Sequence, residues 1–185
     1  MRVRRLGADD VDVLRDVRLR ALQDAPEAFW TSYEREVAYG PDDWRQWLTK
    51  AAFFVAAAAC AGDGTGDDTG GAEAGEIVGG EIVGGLAGGM PAPDDPSATY
   101  LIAMWVAPEH RGSGVAAPLV SAVTAWAASE GRPTVVLYVE EHHARARRFY
   151  ERVGFRLTGR RLLRERDGHW ELEMVLPPPV PARGQ

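Results

Sequence analysis

One segment near the middle of the chain limits the possible folds more than any other. Residues 99–106 read TYLIAMWV, an almost continuous apolar run, and Pro108 follows two residues later. The chain then reads Arg-Gly-Ser-Gly over residues 111–114 and continues with apolar residues at helical spacing. Such a run is typical of a strand buried on both faces, and a glycine-rich turn after it is typical of a strand-to-helix connection. The segment therefore predicts an α/β fold.

The turn after this strand has the chemistry of a phosphate site. Backbone N–H groups at the start of a helix lack intrahelical acceptors, and glycine lets a ligand approach the backbone closely. Gly112 and Gly114 provide that access, and Arg111 adds positive charge beside them. We therefore expect residues 111–116 to bind a pyrophosphate.

Two kinds of phosphate-binding protein fit this turn. The pattern G-x-G-x-x-A, from Gly112 through Gly114 to Ala117, matches a dinucleotide-binding fingerprint, which is weak evidence by itself. A dinucleotide-binding sheet starting at residue 99 would have fewer than 90 residues left and would leave the first hundred unexplained. The dinucleotide interpretation is therefore disfavoured.

A second pattern uses the same turn together with a later helix. The turn also reads R-x-x-G-x-A, with V-x-P before it, and a segment about 30 residues later fits N-x-x-A-x-x-x-Y-x-x-x-G-F except at its first position. The later segment is formed by His143, Ala146, Tyr150, Gly154 and Phe155. The two motifs together resemble the GNAT superfamily of N-acetyltransferases. The resemblance is good over residues 99–158 and looser elsewhere, as in RLRAL at residues 18–22 and DAPEAF at residues 24–29.

The resemblance implies a fold, a cofactor and a set of site residues. It implies a mixed, mostly antiparallel sheet flanked by helices and splayed between the strands predicted at residues 99–106 and 134–139. Acetyl-CoA would be the acyl donor, and Tyr150 would be the general acid. His143 stands where relatives have asparagine, and it either bonds the cofactor arm or caps the helix. The implied cofactor-binding residues are Met104, Trp105, Val106, Arg111, Gly112, Ser113, Gly114, Val115, Ala116, His143 and Ala146.

The sequence does not single out one residue as the general base. Many relatives have a glutamate on the central strand, and TYLIAMWV contains none. The candidates are Glu27, Glu34, Glu36, Glu81, Glu140, His142 and His143. Each of these residues is also a common solvated surface group.

The residues that bind the acceptor amine are expected in the N-terminal part of the chain. Residues 29–47 contain six of the sixteen aromatic residues, interleaved with acidic ones. These aromatics either pack a helix or form a wall that binds an amine through cation-π and carboxylate contacts, with Glu27, Phe29, Trp30 and Tyr33 as candidates. We expect a small cationic primary amine, such as an amino-bearing antibiotic or a polyamine. A protein N-terminus or lysine, and a non-catalytic acyl-CoA sensor, are the alternatives.

Composition excludes several other classes of protein. The net charge is −6 without a domain-wide basic excess, which argues against nucleic-acid binding. The apolar run at residues 51–61 is too short for a membrane span, and the acidic opening is unlike a signal peptide, so we expect a cytoplasmic protein without a membrane partner. Cys60 has no disulfide partner, and the four histidines lack metal-site spacing. Many relatives are dimers, so a homodimer is possible.

Hydrophobic periodicity and turn residues predict one domain over residues 1–177. Residues 62–75 are predicted to be a flexible Gly/Asp loop and residues 178–185 a disordered tail. Strands are predicted at 2–6, 53–60, 99–106, 134–139, 155–158 and 169–176, and helices at 10–25, 29–47, 114–131 and 142–153. Pro118 should delay the third of these helices or make its first turn irregular. In the tandem EIVGG repeat, a five-residue shift reverses the sheet face, so one copy must bulge or lie in the loop.

Overall fold

Strands and helices alternate along the chain in the computed structural model, which describes residues 1–59, 77–78 and 81–178. The strands are β1 (Arg2–Arg5), β2 (Ala52–Ala59), β3 (Ile77–Val78), β4 (Glu81–Pro91), β5 (Thr99–Val106), β6 (Val135–Glu140), β7 (Arg156–Arg164) and β8 (His169–Leu176). The helices are α1 (Val11–Asp24), α2 (Tyr33–Glu36), α3 (Pro41–Lys50), α4 (Ala116–Ser129) and α5 (Ala144–Arg152). Short 3-10 turns occur at Pro26–Ala28 and Pro108–His110.

The strands form one sheet in the order β1-β2-β4-β5-β6-β8-β7, with β3 paired to β4. Each neighbouring pair is antiparallel except β5 and β6, which are parallel. The mixed, mostly antiparallel sheet with flanking helices is therefore confirmed.

Helices cover both faces of this sheet. On one face, Leu14 of α1 and Trp44 of α3 pack with Phe53 of β2. On the other face, Leu119 of α4 packs with Phe54 of β2. Successive strand residues point to opposite faces, so adjacent phenylalanines enter different cores and the central strands are buried on both sides.

The prediction of one helix over residues 29–47 is wrong. The segment contains the four-residue helix α2 and then α3, which begins at Pro41. Pro41 cannot continue a preceding helix, and the Gly40 N–H donates to the Asp43 carboxylate at 2.9 Å, which fixes a new start. The packing interpretation of the aromatics holds for part of the segment, because Trp44 is fully buried and its ring lies 5.6 Å from that of Tyr39.

The two EIVGG copies pair with each other. Ile77 lies opposite Ile82, and β4 then continues through the second copy. Ala56 and Ala57 of β2 lie opposite Gly85 and Val83, so Gly84 is the extra residue of a bulge. The predicted bulge in one copy is confirmed. The predicted loop at 62–75 and all but the first residue of the predicted tail lie outside the described residues.

Several boundaries differ from the predicted ones. Helix α4 begins at Ala116, two residues after Gly114, so its start is delayed as expected from Pro118. The strand predicted at 155–158 continues to Arg164 and forms an edge of the sheet.

Among the described helices, none combines the length and apolar character needed to span a membrane.

Candidate active site

The parallel strands β5 and β6 separate soon after they meet. Over these fully described strands, the only pairs are Thr99 with Val135 and Tyr100 with Val136. Further along β5, Ala103 and Met104 both lie opposite Ala87, and Ala103 has a φ of 54°. This β-bulge bends β5 and interrupts its ladder. The sheet is therefore splayed between β5 and β6, as predicted.

A cavity of about 840 Å³ lies in the gap between the two strands. Its wall includes Phe29, from the core on one face of the sheet, and Tyr150, from the core on the other face. The cavity therefore reaches both faces of the sheet through the gap. Its volume lies within the range of roughly 300–1,000 Å³ that is usual for small-molecule sites.

Glu171 of β8 is a buried carboxylate in the wall of this cavity. Its Oε2 accepts from the indole Nε1 of Trp30 at 2.7 Å, and its Oε1 accepts from Nη1 of Arg164 at 3.0 Å. Burial raises the pKa of the Glu171 carboxyl above its ordinary value, although both donors act in the opposite direction.

Arg164 is shared among several carboxylates. It lies 2.9 Å from Asp167 and 3.9 Å from Glu140, in addition to its contact with Glu171. One buried guanidinium thus faces three acidic side chains. Glu171 lines the cavity, and it shares its guanidinium with two further carboxylates behind the wall, which favours a cationic ligand at this point.

Glu173 is a second buried carboxylate of the cavity wall, two residues further along β8. It accepts from the Tyr138 hydroxyl at 3.0 Å and from the Thr158 hydroxyl at 2.7 Å, and it pairs with Arg160 at 3.2 Å. These three donors hold Glu173 firmly in place.

Tyr150 reaches the cavity from α5. Its ring packs against Phe149 and Phe155, and its hydroxyl has no hydrogen-bond partner in the described part of the chain. Burial raises the pKa of Tyr150 above its ordinary value. The pKa of Tyr100, which also lines the cavity, is raised by burial and by the charge of Glu171. Both phenols therefore keep their protons at neutral pH.

The glycine turn lies just beyond the end of β5. Gly112 and Gly114 have φ angles of 86° and 89°, and a Cβ atom at either would meet no atom within 4 Å. Within the described part of the chain, the N–H groups of Gly112, Gly114 and Val115 have no acceptor. A cleft of about 270 Å³ lies against the turn, and it is lined by His110, whose Nε2 is buried without a partner. These free donors fit the pyrophosphate of an acyl-CoA.

The Arg111 side chain was expected to add an unpaired positive charge, but the structure places it in an ion pair. Its guanidinium pairs with Asp24 of α1, and its Nε donates to the Val106 carbonyl at 3.1 Å. The Trp105 indole also donates to Asp24, at 2.7 Å. Asp24 thus neutralises Arg111, so the positive character of this turn comes from its backbone N–H groups.

Only some of the predicted substrate residues meet at the cavity. Phe29 and Trp30 line it. Glu27 is exposed and Tyr33 packs against the core, and both lie outside the cavity wall. The aromatic part of the predicted amine wall is therefore present, whereas its predicted acidic member is not at the cavity.

The predicted cofactor-binding residues do not all lie at the cavity. Met104 lines the cavity, whereas Trp105 and Val106 lie outside its wall. The Ser113 hydroxyl donates to the His110 carbonyl at 2.6 Å. His143 is exposed at the N-cap position of α5, where its side chain makes no capping hydrogen bond, and Ala146 packs against the core.

None of the predicted base candidates whose side chains the structure describes lines the cavity. Glu36 is fully buried in a two-bond pair with Arg18, at 3.0 and 2.9 Å. Glu140 pairs with His169 at 2.9 Å. Glu27, Glu34, His142 and His143 are exposed, and the side chain of Glu81 lies outside the described part.

Sequence reasoning missed Glu171 and Glu173. The alternation in HWELEMVL does place the two glutamates on one strand face, but an acidic face of this kind normally indicates exposure to solvent. Residues 28–31 line the same cavity, and their approach is a contact between distant parts of the chain that no local pattern specifies.

Comparison with known proteins agrees with this architecture. A family model described as "Acetyltransferase (GNAT) family" matches residues 19–155. An uncharacterized N-acetyltransferase of Mycobacterium bovis is 39% identical over 61 residues, which are 33% of this chain and 39% of the relative's length.

Solved structures share the fold. The ribosomal-protein-alanine N-acetyltransferase of Brucella melitensis has a TM-score of 0.67 at 18% identity, covering 95% of this chain and 98% of that one. The spermidine N-acetyltransferase of Vibrio cholerae, in complex with CoA and spermine, has a TM-score of 0.63 at 14% identity, covering 94% and 93%. Since the family match extends over well more than half of the sequence, the chain belongs to the GNAT family of acetyltransferases.

Proposed function

We propose that this protein transfers an acetyl group from acetyl-CoA to a primary amine of a small cationic molecule. The observation that carries the proposal is the gap between β5 and β6, with buried carboxylates on the wall of its cavity. The free edge of β5 leads from this cavity toward the glycine turn, whose N–H groups lack acceptors. The proposal therefore assigns the cavity to the amine, and the edge of β5 with the glycine turn to the acyl donor.

The acyl donor would lie along β5. Acetyl-CoA supplies an acetyl group activated as a thioester. The N–H groups of Gly112, Gly114 and Val115 would hold its pyrophosphate. Main-chain groups of β5 around Met104, which face the gap, would pair with the pantetheine arm as a neighbouring strand would.

The amine would lie on the side of the cavity formed by β8. Glu171 and Glu173 supply negative charge there, and Trp30, Tyr100 and Tyr138 supply aromatic faces. Carboxylates and aromatic faces together favour a cation. Tyr150 would donate a proton to the departing sulfur, because its hydroxyl is protonated at neutral pH and has no partner in the described part of the chain.

A second candidate is an enzyme that acts on a protein amine, as the name of the Brucella melitensis relative indicates for that protein. Hydrogen bonds close one side of the cavity, which would hinder a polypeptide acceptor. Arg166, in the turn between β7 and β8, donates to the carbonyls of Thr31 and Pro26 at 2.9 and 3.2 Å. The Trp30–Glu171 bond adds a second link between the same two segments. This closure favours a small acceptor over a polypeptide.

Thiol release from acetyl-CoA, measured with aminoglycosides, polyamines, amino acids and peptides, tests the proposal. We expect turnover with small cationic amines, and a fall in kcat of about 10²- to 10⁴-fold in Tyr150→Phe without loss of acetyl-CoA binding in calorimetry. Tyr39→Phe, which changes a tyrosine of the opposite core, serves as the matched control. Turnover with peptides alone would support the protein acetyltransferase instead. Acetyl-CoA binding with no turnover would support a non-catalytic sensor.

A further inference from the structure

We propose that Glu171 is a catalytic residue of the acetyl transfer: its carboxylate binds the ammonium form of the acceptor and takes one of its protons. The inference rests on the proposed function. It assigns the general base to β8, at a position that the sequence motifs do not indicate.

The first argument is the free hydrogen-bonding capacity of Glu171. Each carboxylate oxygen can accept two hydrogen bonds, and each Glu171 oxygen has one described protein donor, Trp30 or Arg164. The side chain is 3% exposed and lines the cavity, so the remaining capacity faces the space that a ligand would fill. A buried carboxylate with unused acceptor sites is suited to an ammonium group.

The second argument is the charge around Glu171. Arg164 is its nearest cation, and Asp167 and Glu140 share that cation. Arg166 also pairs with Asp167, and His169 pairs with Glu140. Tyr100 of β5 faces the group as a neutral phenol. The carboxylate is therefore not neutralised by its own ion pair, and an incoming cation gains attraction from the cluster.

The third argument is that the other acidic groups of the cavity are already engaged. Oε1 of Glu173 accepts from Tyr138 and pairs with Arg160, and Oε2 accepts from Thr158, so Glu173 has three partners where Glu171 has two. Asp95 accepts from both the N–H and the hydroxyl of Ser97. Asp94 lies exposed at the rim and also faces Arg160, at 3.5 Å. Glu171 is thus the carboxylate of the described cavity wall that is best placed to exchange a proton.

The fourth argument is the placement of groups along the wall. Glu171 of β8 and Tyr150 of α5 line the same cavity, and Tyr100 of β5 lines it as well. A proton acceptor and a proton donor, carried by different elements, therefore share the cavity at the gap between β5 and β6. This arrangement separates the two proton transfers that the reaction needs.

The protons and electrons balance with these two residues. Glu171 takes a proton from the ammonium, directly or through a water, and leaves a neutral amine. The nitrogen lone pair forms the bond to the acetyl carbon, the carbon–sulfur bond breaks, and its electron pair goes to sulfur. Tyr150 protonates the sulfur, and the nitrogen gives its surplus proton back to the Tyr150 oxygen. Glu171 then returns its proton to solvent.

The pH dependence of Glu171→Gln tests the assignment. With acetyl-CoA and spermidine, or the panel amine with the highest rate, wild-type kcat/KM should be flat near neutral pH. It should fall at acid pH, below the raised pKa of Glu171. In the variant, kcat/KM should be about 100-fold or more lower at pH 7 and rise about tenfold per pH unit, because only the free amine reacts. Glu165→Gln, at an exposed glutamate of the β7–β8 turn outside the cavity wall, is the control and should keep the wild-type profile shape.

Trp30→Phe gives a second test that does not remove the carboxylate. The indole donor lowers the pKa of Glu171, so its loss should shift the acid limb of kcat/KM to higher pH. Trp170→Phe is the matched control: Trp170 lies next to Glu171 on β8 and is exposed like Trp30, but its ring packs on Arg161 and its indole does not bond Glu171, so the limb should stay unchanged. Calorimetry with acetyl-CoA checks that each variant is folded.

The outcomes separate the two claims. If the wild-type protein acetylates no amine of the panel, the proposed function fails and this inference fails with it. If the wild-type protein is active and Glu171→Gln keeps both its rate and its profile, this inference alone is refuted. An unshifted acid limb in folded Trp30→Phe would also overturn it.

Discussion

Replacing Gly114 with alanine separates the backbone role of this glycine from its role in ligand binding. Gly114 has a φ of 89°, and its added Cβ atom would meet no protein atom within 4 Å. The loss of stability therefore comes from the left-handed backbone and not from a clash. That conformation costs an L-residue about 1–2 kcal/mol. For a chain of this size, the melting temperature should fall by about 2–8 °C.

The effect on acetyl-CoA should be larger than this strain predicts. The Gly114 N–H has no acceptor in the described part of the chain, and the residue lines the cleft beside the turn. A methyl group here occupies space that a phosphate would use. Alanine keeps the N–H, but its methyl group would push the phosphate away from this donor. A hydrogen bond to a charged group contributes about 1.5–3 kcal/mol, so losing that contact should weaken acetyl-CoA binding by about 10- to 150-fold.

Gly131→Ala is the matched control. Gly131 has a φ of 74°, its Cβ atom would also meet nothing within 4 Å, and it lies at the opposite end of α4. Urea unfolding should show similar losses of stability in both variants. Calorimetry with acetyl-CoA should show weaker binding in Gly114→Ala alone. Equal affinities in the two variants would refute the assignment of the turn to the pyrophosphate.

Two further predictions concern ion pairs. Glu36→Gln should lower the free energy of unfolding by about 3–5 kcal/mol in urea titrations, because it leaves Arg18 buried without its carboxylate. The double variant Arg18→Met, Glu36→Leu should recover most of that loss, and a loss below about 1 kcal/mol in Glu36→Gln would contradict the burial of this pair. Partial burial raises the pKa of Asp10, but Arg4 and the Gly7 N–H outweigh it, so the folded pKa is lowered. Asp10→Asn should therefore cost up to about 1 kcal/mol at pH 7, and the difference from wild type should vanish as the pH falls through the lowered pKa of Asp10 and the carboxyl becomes protonated. A difference that persists below that pKa would refute the linkage.

The two motifs and the central strand could be predicted because their signals are local. TYLIAMWV is apolar on both faces, and a glycine pair after a proline stop permits few backbone conformations. The structure accordingly places a buried strand, a left-handed turn and a helix in that order. The bulge at Ala103 has no such signal, because nothing in a run of apolar residues tells which one will adopt a positive φ. The resemblance to a family, and not the residues themselves, predicted the splay.

The acceptor side of the cavity shows why the remaining prediction was incomplete. The sequence predicted that aromatic and acidic residues near position 30 would together bind an amine. In the structure Phe29 and Trp30 line the cavity, but the carboxylates beside them are Glu171 and Glu173 of β8, and Trp30 bonds directly to Glu171. Arg166 ties the same N-terminal segment to the turn before β8. The N-terminal segment supplies aromatic rings and β8 supplies carboxylates, so neither segment forms this wall alone. Substitutions in the β7–β8 hairpin should therefore change which amine is accepted while both cofactor motifs stay intact, so relatives with the same motifs need not share an acceptor.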